Sequence, residues 1–288
     1  MARKVGIYYA FWTHEWDADF LPFVAKVRGL GFDQLEVGGI GLVKLAPAQR
    51  QELAAAARDA GLTLSYGIGL PVDRDVSAVD EGVRQAGVRF MRGLIDAIGE
   101  MGGGTLCGTV HSCWPATLPR GFDDKRPFRD QSLRSMRELV KVAEDRGVVL
   151  LVEVINRFEQ FLVNTAAEAV AYVDEVASPA CAILLDTFHL NIEEDSIGGA
   201  IRHAGQRLKQ LHLGETNRKP PGLGRMPWGE IRAALDDIRF QGSLVMEPFV
   251  LPGGQVARDI GVWRPIIEDP DLDRLAGDAL RFVRAKLA

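Results

Sequence analysis

Residues 146–159 read RGVVLLVEVINRFE. The glycine after Arg146 is a natural stop for the amphipathic helix read from Arg129 to Arg146, because without a Cβ it takes the left-handed cap conformation at no steric cost. An apolar, β-branched run then covers Val148 to Val154, as suits a strand buried on both faces of a parallel sheet. Only Glu153 interrupts that run, next to its end. A helix, a glycine stop and a buried strand closing on a carboxylate make one repeating unit of a parallel α/β fold, with a reactive group at the edge where such folds carry their sites.

The same unit recurs on both sides. Strands are expected at Val5–Tyr9, Phe32–Val37, Leu62–Ile68 and Thr105–Val110 before it, and at Cys181–Leu185, Leu208–Leu213 and Leu244–Met246 after it. Between them run amphipathic stretches near Asp17–Leu30, Pro47–Ala60, a region ending about Met101, Ala166–Val176, Ile197–Ala204, Trp228–Ile238 and Asp271–Lys286. Eight units with no Ser-rich or Pro-rich linker predict one α/β domain over residues 1–288, a closed (β/α)8 TIM barrel, and 288 residues fit the roughly 250 such a barrel needs. An open doubly wound sheet would need a Gly-rich phosphate turn after the first strand, where this chain has YYAFWTHEW.

Composition narrows the function classes. A net charge of -5 with scattered Lys and Arg provides no basic stripe for a phosphate backbone, so nucleic acid is not an expected partner. Cys107, Cys113 and Cys181 are odd in number and lack CxxC spacing, which points to free thiols in a reducing compartment, the cytoplasm. No apolar signal core opens the chain and no run of 18 apolar residues occurs in it, so neither export nor membrane insertion is expected.

The chemistry is expected at the C-terminal strand ends. LLVEVINRFE, ILLDTFHLNIEE, LHLGETNRKPPG and LVMEPF each place one metal-ligating side chain at or beside the close of an apolar run: Glu153, Asp186, His212 and Glu247. Their successive spacings of 33, 26 and 35 residues are about one βα unit each, so four adjacent strands would aim them at one point. Any one carboxylate alone reads better as a helix cap or an Arg partner. Together, three buried carboxylates repel one another at a cost of several kcal/mol unless a cation offsets it. Three carboxylates and an imidazole suit one divalent ion, with Mn²⁺ first and Co²⁺ or Mg²⁺ possible, whereas structural zinc prefers thiolates.

At these residues the chain resembles the D-tagatose 3-epimerase family, which includes the D-allulose (D-psicose) and L-ribulose 3-epimerases, within the xylose isomerase-like barrels. The resemblance rests on VGIYYAFWTHEW, CGTVHSCWP, VEVINRFEQFLVNTAAEA, LLDTFHLNIEE, LHLGETNRKPPGLGRMPW and VMEPFV, and spans almost the whole chain. It implies that Glu153, Asp186, His212 and Glu247 hold the metal and that Glu153 and Glu247 double as the acid/base pair. It further implies that Glu159, His189 and Arg218 meet substrate oxygens around C1 to C3, that Tyr8, Trp16, Trp114 and Phe249 form the pocket wall, and that the protein is a homodimer or homotetramer. The chain departs from better-known members at Gly67, Thr109 and the Gly-rich EVGGIGLVKL, which bear on the choice of sugar.

The implied reaction fits these residue types. The C3 proton of a ketose lies next to the C2 carbonyl and leaves only if the enediolate is stabilised as it forms, which a cation held near O2 and O3 can do. Inverting C3 takes a proton from one face and returns it to the other, so two carboxylates are needed, and Glu153 and Glu247 could flank the sugar. An aldose–ketose isomerase on the same barrel is the alternative. An apurinic-site nuclease would need more than five histidines and a basic groove, and a sugar-binding module would not need the acid/base pair. Asn156 and Asn217 are expected to orient neighbouring site groups. Trp228 and Trp263 are expected to pack helices or an interface, the segment Gly253–Pro265 being the candidate interface, while His14, His111 and His203 carry no assigned role.

Overall fold

The structure, a computed structural model describing residues 3–287, is built from eight strands and eleven α-helices. In chain order these are β1 (Val5–Tyr8), α1 (Leu21–Leu30), β2 (Gln34–Gly38), α2 (Gly39–Lys44), α3 (Pro47–Asp59), β3 (Thr63–Leu70), α4 (Glu81–Glu100) and β4 (Gly104–Cys113). They continue with α5 (Arg126–Arg146), β5 (Val148–Val154), α6 (Ala166–Val176), β6 (Cys181–Asp186), α7 (Thr187–Glu193), α8 (Ile197–Ala204) and β7 (Leu208–Leu213). The last are α9 (Trp228–Asp237), β8 (Ser243–Met246), α10 (Gly254–Ile260) and α11 (Leu272–Leu287). All strands pair in parallel and in sequence order, and β8 returns to β1 to close the barrel.

The (β/α)8 expectation holds, and the differences are local. The first helix starts at Leu21 rather than Asp17, because Pro22 is tolerated only in a first helical turn. The Gly-rich EVGGIGLVKL stretch contains a short helix, α2, that is not among the amphipathic stretches read from the sequence. There α2 lies so close to Phe20 that a Cβ on Gly41 would stand 2.7 Å from its ring, so only glycine permits the approach. Two more short helices, α7 and α10, sit in the loops after β6 and β8. Asp186 itself starts α7, its side chain accepting the Phe188 N–H at 2.8 Å.

Alternation along the strands splits the core in two. Leu150, Val152 and Val154 of β5 and Ile183 and Leu185 of β6 pack outward in the large layer between sheet and helices. Leu151, Ala182 and Leu184 face inward with Cys107 as a small separate cluster. Each fully buried Val, Leu or Ile contributes roughly 1.5–3 kcal/mol, so the outer layer dominates stability. Gln34, Glu36, Ser65 and Gln210 add buried polar groups to that interior. Gln34 on β2 reaches Ser65 on the neighbouring β3 at 2.7 Å and Gln210 on β7 at 3.4 Å, the second a contact that strands so placed can make only through the barrel.

Candidate active site

β5, β6, β7 and the residue after β8 bring Glu153, Asp186, His212 and Glu247 together, with one ligating atom of each within 4.8 Å of all the others. The four residues are distant in sequence and meet because the strand registers place Asp186 beside His212 and His212 beside Val245, two residues before Glu247. His212 Nδ1 lies 3.7 Å from Glu153 Oε1 and 3.6 Å from Glu247 Oε2. Arg218 Nη1 donates to Asp186 Oδ2 at 2.9 Å and to Glu247 Oε2 at 3.2 Å.

Burial and mutual repulsion set the electrostatics. Desolvation, aided by Glu247 and Asp186, holds the Glu153 carboxyl well above the usual range despite the opposing pull of His212. Desolvation likewise pushes Asp186 up to about 6, with Glu247 adding to it and Arg218 opposing. For Glu247 burial raises the pKa, but its interactions with His212 and with the Arg218 guanidinium outweigh it and the net shift is downward. A divalent cation among these groups would relieve the repulsion that lifts Glu153 and Asp186.

The donor set passes a direct test for such an ion. His212 Nδ1 is buried and has no hydrogen-bond partner, although buried polar atoms are nearly always paired. A ring nitrogen aimed bare into three carboxylates is accounted for by a cation that takes its lone pair. The residues present therefore fit a divalent ion.

Around this centre opens a cavity of about 340 Å³. Its walls include Tyr8, Trp16, Trp114 and Phe249 as well as Glu153, Glu159, His189, His212, Arg218 and Glu247, so every site residue named from the sequence except Asp186 borders it. Asp186 has no exposed surface and lies beneath the floor. The aromatic residues form a connected wall: Trp16 stands 6.4 Å from Tyr8, 6.4 Å from Trp114 and 6.2 Å from Phe249, ring centre to ring centre. Trp16 is further tied to α10 by its Nε1–H, which donates to Asp259 at 2.7 Å.

Asn156 organises the polar side of the pocket. Its Nδ2 donates to Glu159 Oε1 at 2.8 Å and lies 2.7 Å from His189 Nδ1. Burial, with help from Arg218 and His212, pushes the His189 pKa far below its ordinary value, so the ring is neutral. An Nδ1 that accepts from Asn156 leaves the proton on Nε2, the nitrogen nearer Asp186. Glu159 Oε2 accepts from Trp114 Nε1 at 3.1 Å, linking acid and wall. Asn217 takes no part, its carbonyl oxygen only closing a local turn to Lys219.

The departures also find their places. A Cβ on Gly67 would press on Tyr8 at 3.3 Å, so the space beside this glycine is filled by the tyrosine. Thr109 accepts the Leu70 N–H. Gly38, Ile40, Gly41 and Lys44 of the Gly-rich segment line the cavity, together with Asp17, Gln255 and Asp259.

Sequence reasoning missed the groups below the site. Glu36, Ser65, Cys107 and Gln210 form a buried network beneath His212. Their signal was legible, because Gln34 and Glu36, and likewise Gln210 and His212, alternate on one face of their strands, and Gln34, Glu36, Gln210 and His212 are all buried. Of the remaining residues singled out, Trp228 packs against Phe282 and donates to Glu215. Trp263 is three-quarters exposed, and His203 is exposed on α8.

Fold and site together define a class: a (β/α)8 barrel enzyme with a carboxylate–imidazole centre at the C-terminal mouth. The chain belongs to the xylose isomerase-like TIM barrel family, whose model matches residues 24–282, and within it to the ketose 3-epimerases. It is 45% identical over 284 residues to a D-psicose 3-epimerase of Ruminiclostridium cellulolyticum, covering 98% of this chain and 97% of that protein. It is 32% identical to an L-ribulose 3-epimerase of Mesorhizobium japonicum, covering 93% of this chain and 89% of the relative. The crystal structure of D-psicose 3-epimerase with D-tagatose from Clostridium cellulolyticum H10 superposes with a TM-score of 0.96 at 45% identity, covering 99% of each chain.

Proposed function

We propose that this chain, as a single catalytic domain, is a metal-dependent ketose 3-epimerase acting on free ketoses of the D-fructose/D-allulose, D-tagatose/D-sorbose and ribulose/xylulose type. The observation that carries the reading is the convergence of Glu153, Asp186, His212 and Glu247 around the unpartnered His212 Nδ1 at the floor of a sugar-sized, aromatic-walled cavity. Relatives named D-psicose and L-ribulose 3-epimerases, matched over nearly the full length, support it.

The four residues hold one divalent ion, Mn²⁺ first, which supplies the positive charge that stabilises the enediolate when bound. Glu153 and Glu247 exchange the C3 proton, one removing it from one face of the sugar and the other returning it on the opposite face. Asp186 and His212 serve as ligands only. His189 donates from Nε2 and Arg218 from its guanidinium to substrate oxygens, while Glu159, held by Asn156 and Trp114, accepts from a hydroxyl near C3. Tyr8, Trp16, Trp114 and Phe249 exclude water and hold the apolar faces of the sugar. A homodimer or homotetramer in the cytoplasm is part of the same reading, in keeping with three buried free cysteines and with the fact that no helix among the described residues is long and apolar enough to cross a membrane.

Incubation with D-fructose and Mn²⁺ in deuterated water tests the reaction. D-Allulose carrying deuterium at C3 is expected. An aldose as the sole product would instead establish isomerisation between C1 and C2, and no turnover of any ketohexose or ketopentose would leave a binding module.

A further inference from the structure

β2 contributes none of the four clustered ligands, yet one of its side chains reaches them. The His212 ring works in two directions. Its Nδ1 faces Glu153 and Glu247 without a hydrogen-bond partner. Its Nε2 lies 2.9 Å from Oε1 of Glu36, a carboxylate with no exposed surface whose Oε1 takes no hydrogen bond from any other donor. The other oxygen of Glu36 is fixed by three donors: Gln210 Nε2 at 2.7 Å, Ser65 Oγ at 2.8 Å and Cys107 Sγ at 3.2 Å. Gln210 cannot turn its amide over without loss, because its own Oε1 accepts from Ser243 at 3.2 Å and from Gln34 at 3.4 Å.

As a metal ligand the His212 ring is neutral and has two tautomers. With the proton on Nδ1, an N–H would point at the would-be ion, and bare Nε2 could accept from Gln210, 3.0 Å away. That arrangement sets the Nε2 lone pair against Glu36 Oε1 at 2.9 Å with no proton between them. With the proton on Nε2, an N–H stands 2.9 Å from a carboxylate oxygen that no other donor satisfies, and the Nδ1 lone pair is free. A buried anion held in place by three donors favours the second arrangement.

We propose that Glu36 is a positioning residue that keeps the proton on His212 Nε2 and so presents the Nδ1 lone pair to the divalent ion. It acts on the reaction only through His212 and touches no substrate carbon. The inference rests on the reading of the four-residue cluster as a metal site. Outer partners of metal-bound histidines typically change affinity by 10- to 100-fold, which sets the size of the effect.

The experiment titrates chelator-stripped full-length protein with Mn²⁺ by calorimetry, comparing wild type with Glu36→Gln. A dissociation constant about 10- to 100-fold weaker in the variant is expected. Proteins labelled with ¹⁵N-histidine and loaded with diamagnetic Mg²⁺ give the second reading: His212 protonated at Nε2 in wild type, and a mixed or reversed tautomer in Glu36→Gln. Wild-type affinity with an unchanged tautomer in the variant would overturn the proposal and leave Glu36 a filler of the barrel interior. A wild type that binds no divalent ion would defeat the metal reading itself, and this inference with it. Should Glu36→Gln fail to fold, Glu36→Asp keeps the charge but withdraws it by one methylene, and the same two measurements decide.

Discussion

Arg218 holds a left-handed backbone conformation, φ 60°, which costs a non-glycine residue on the order of 1–3 kcal/mol and persists only where the surroundings enforce it. Here they do: the guanidinium bridges Asp186 and Glu247 and lies 4.2 Å from the Phe188 ring centre and 5.2 Å from that of Phe249. Lysine would keep the charge but lose the planar fork and the stacking. Arg218→Lys should therefore lower kcat/KM for a ketose by about 10- to 100-fold, a loss of roughly 1.4–2.8 kcal/mol, while circular dichroism stays unchanged; a wild-type kcat/KM would remove Arg218 from the site. His111 invites a pH test. It is fully buried with both ring nitrogens unpaired, and burial depresses its pKa to about 3. The unfolded chain takes up this proton near pH 6.5 and the folded one only near 3, so stability falls as pH drops through that window, by roughly 2 kcal/mol at pH 5. Urea unfolding at pH 7 and pH 5 should show His111→Leu losing correspondingly less than wild type. At this scale the sequence was most informative for the metal-type residues, which strand ends display as polar breaks in apolar runs. It was silent on His111, because a lone histidine on a strand does not reveal what surrounds it.

The loop between β7 and α9 is organised by one side chain. Glu215 is fully buried, and its two oxygens accept from the backbone N–H of Gly222 at 2.7 Å, that of Met226 at 2.9 Å and the Trp228 indole at 2.9 Å. The same loop carries Arg218, whose N–H bonds back to the Glu215 carbonyl. Glu215→Gln turns an acceptor into a partial donor, so it should cost about 2–3 kcal/mol of stability and raise KM by loosening Arg218. Thermal unfolding and steady-state kinetics check both; a stability loss without a KM change would confine Glu215 to folding. In α2, Gly41→Ala would drive a methyl into Phe20 and should cost roughly 1–3 kcal/mol, read by the same unfolding assay. Element existence was legible for the long helices and the strands because their periodicities are local. The short helices α2, α7 and α10 were not, since six or seven residues carry too little pattern and are held by packing rather than propensity.

For the whole molecule, a divalent ion that bridges β5, β6, β7 and the end of β8 would tie half the barrel rim together and bind only the folded chain. At a concentration 100 times its dissociation constant it should add about 2.7 kcal/mol, a rise in Tm of roughly 5–10 °C. Chelation should lower Tm by that amount and abolish turnover, Mn²⁺ should restore both, and a Tm indifferent to chelator and Mn²⁺ would count against the site.

By itself the sequence determined the eightfold alternation, the parallel barrel that follows from it, and the four residues at the barrel mouth. Each of these is written in spacings of a few residues or of one βα unit, and such regularities survive without knowledge of the fold. Only the tertiary structure decided that Glu36 stands behind His212 and that Gln210, 174 residues further along the chain, helps to hold it there. Closing β8 onto β1 is what brings those strands face to face across the interior. A contact made by closure leaves no local period in the chain, so it becomes visible only once the barrel is built.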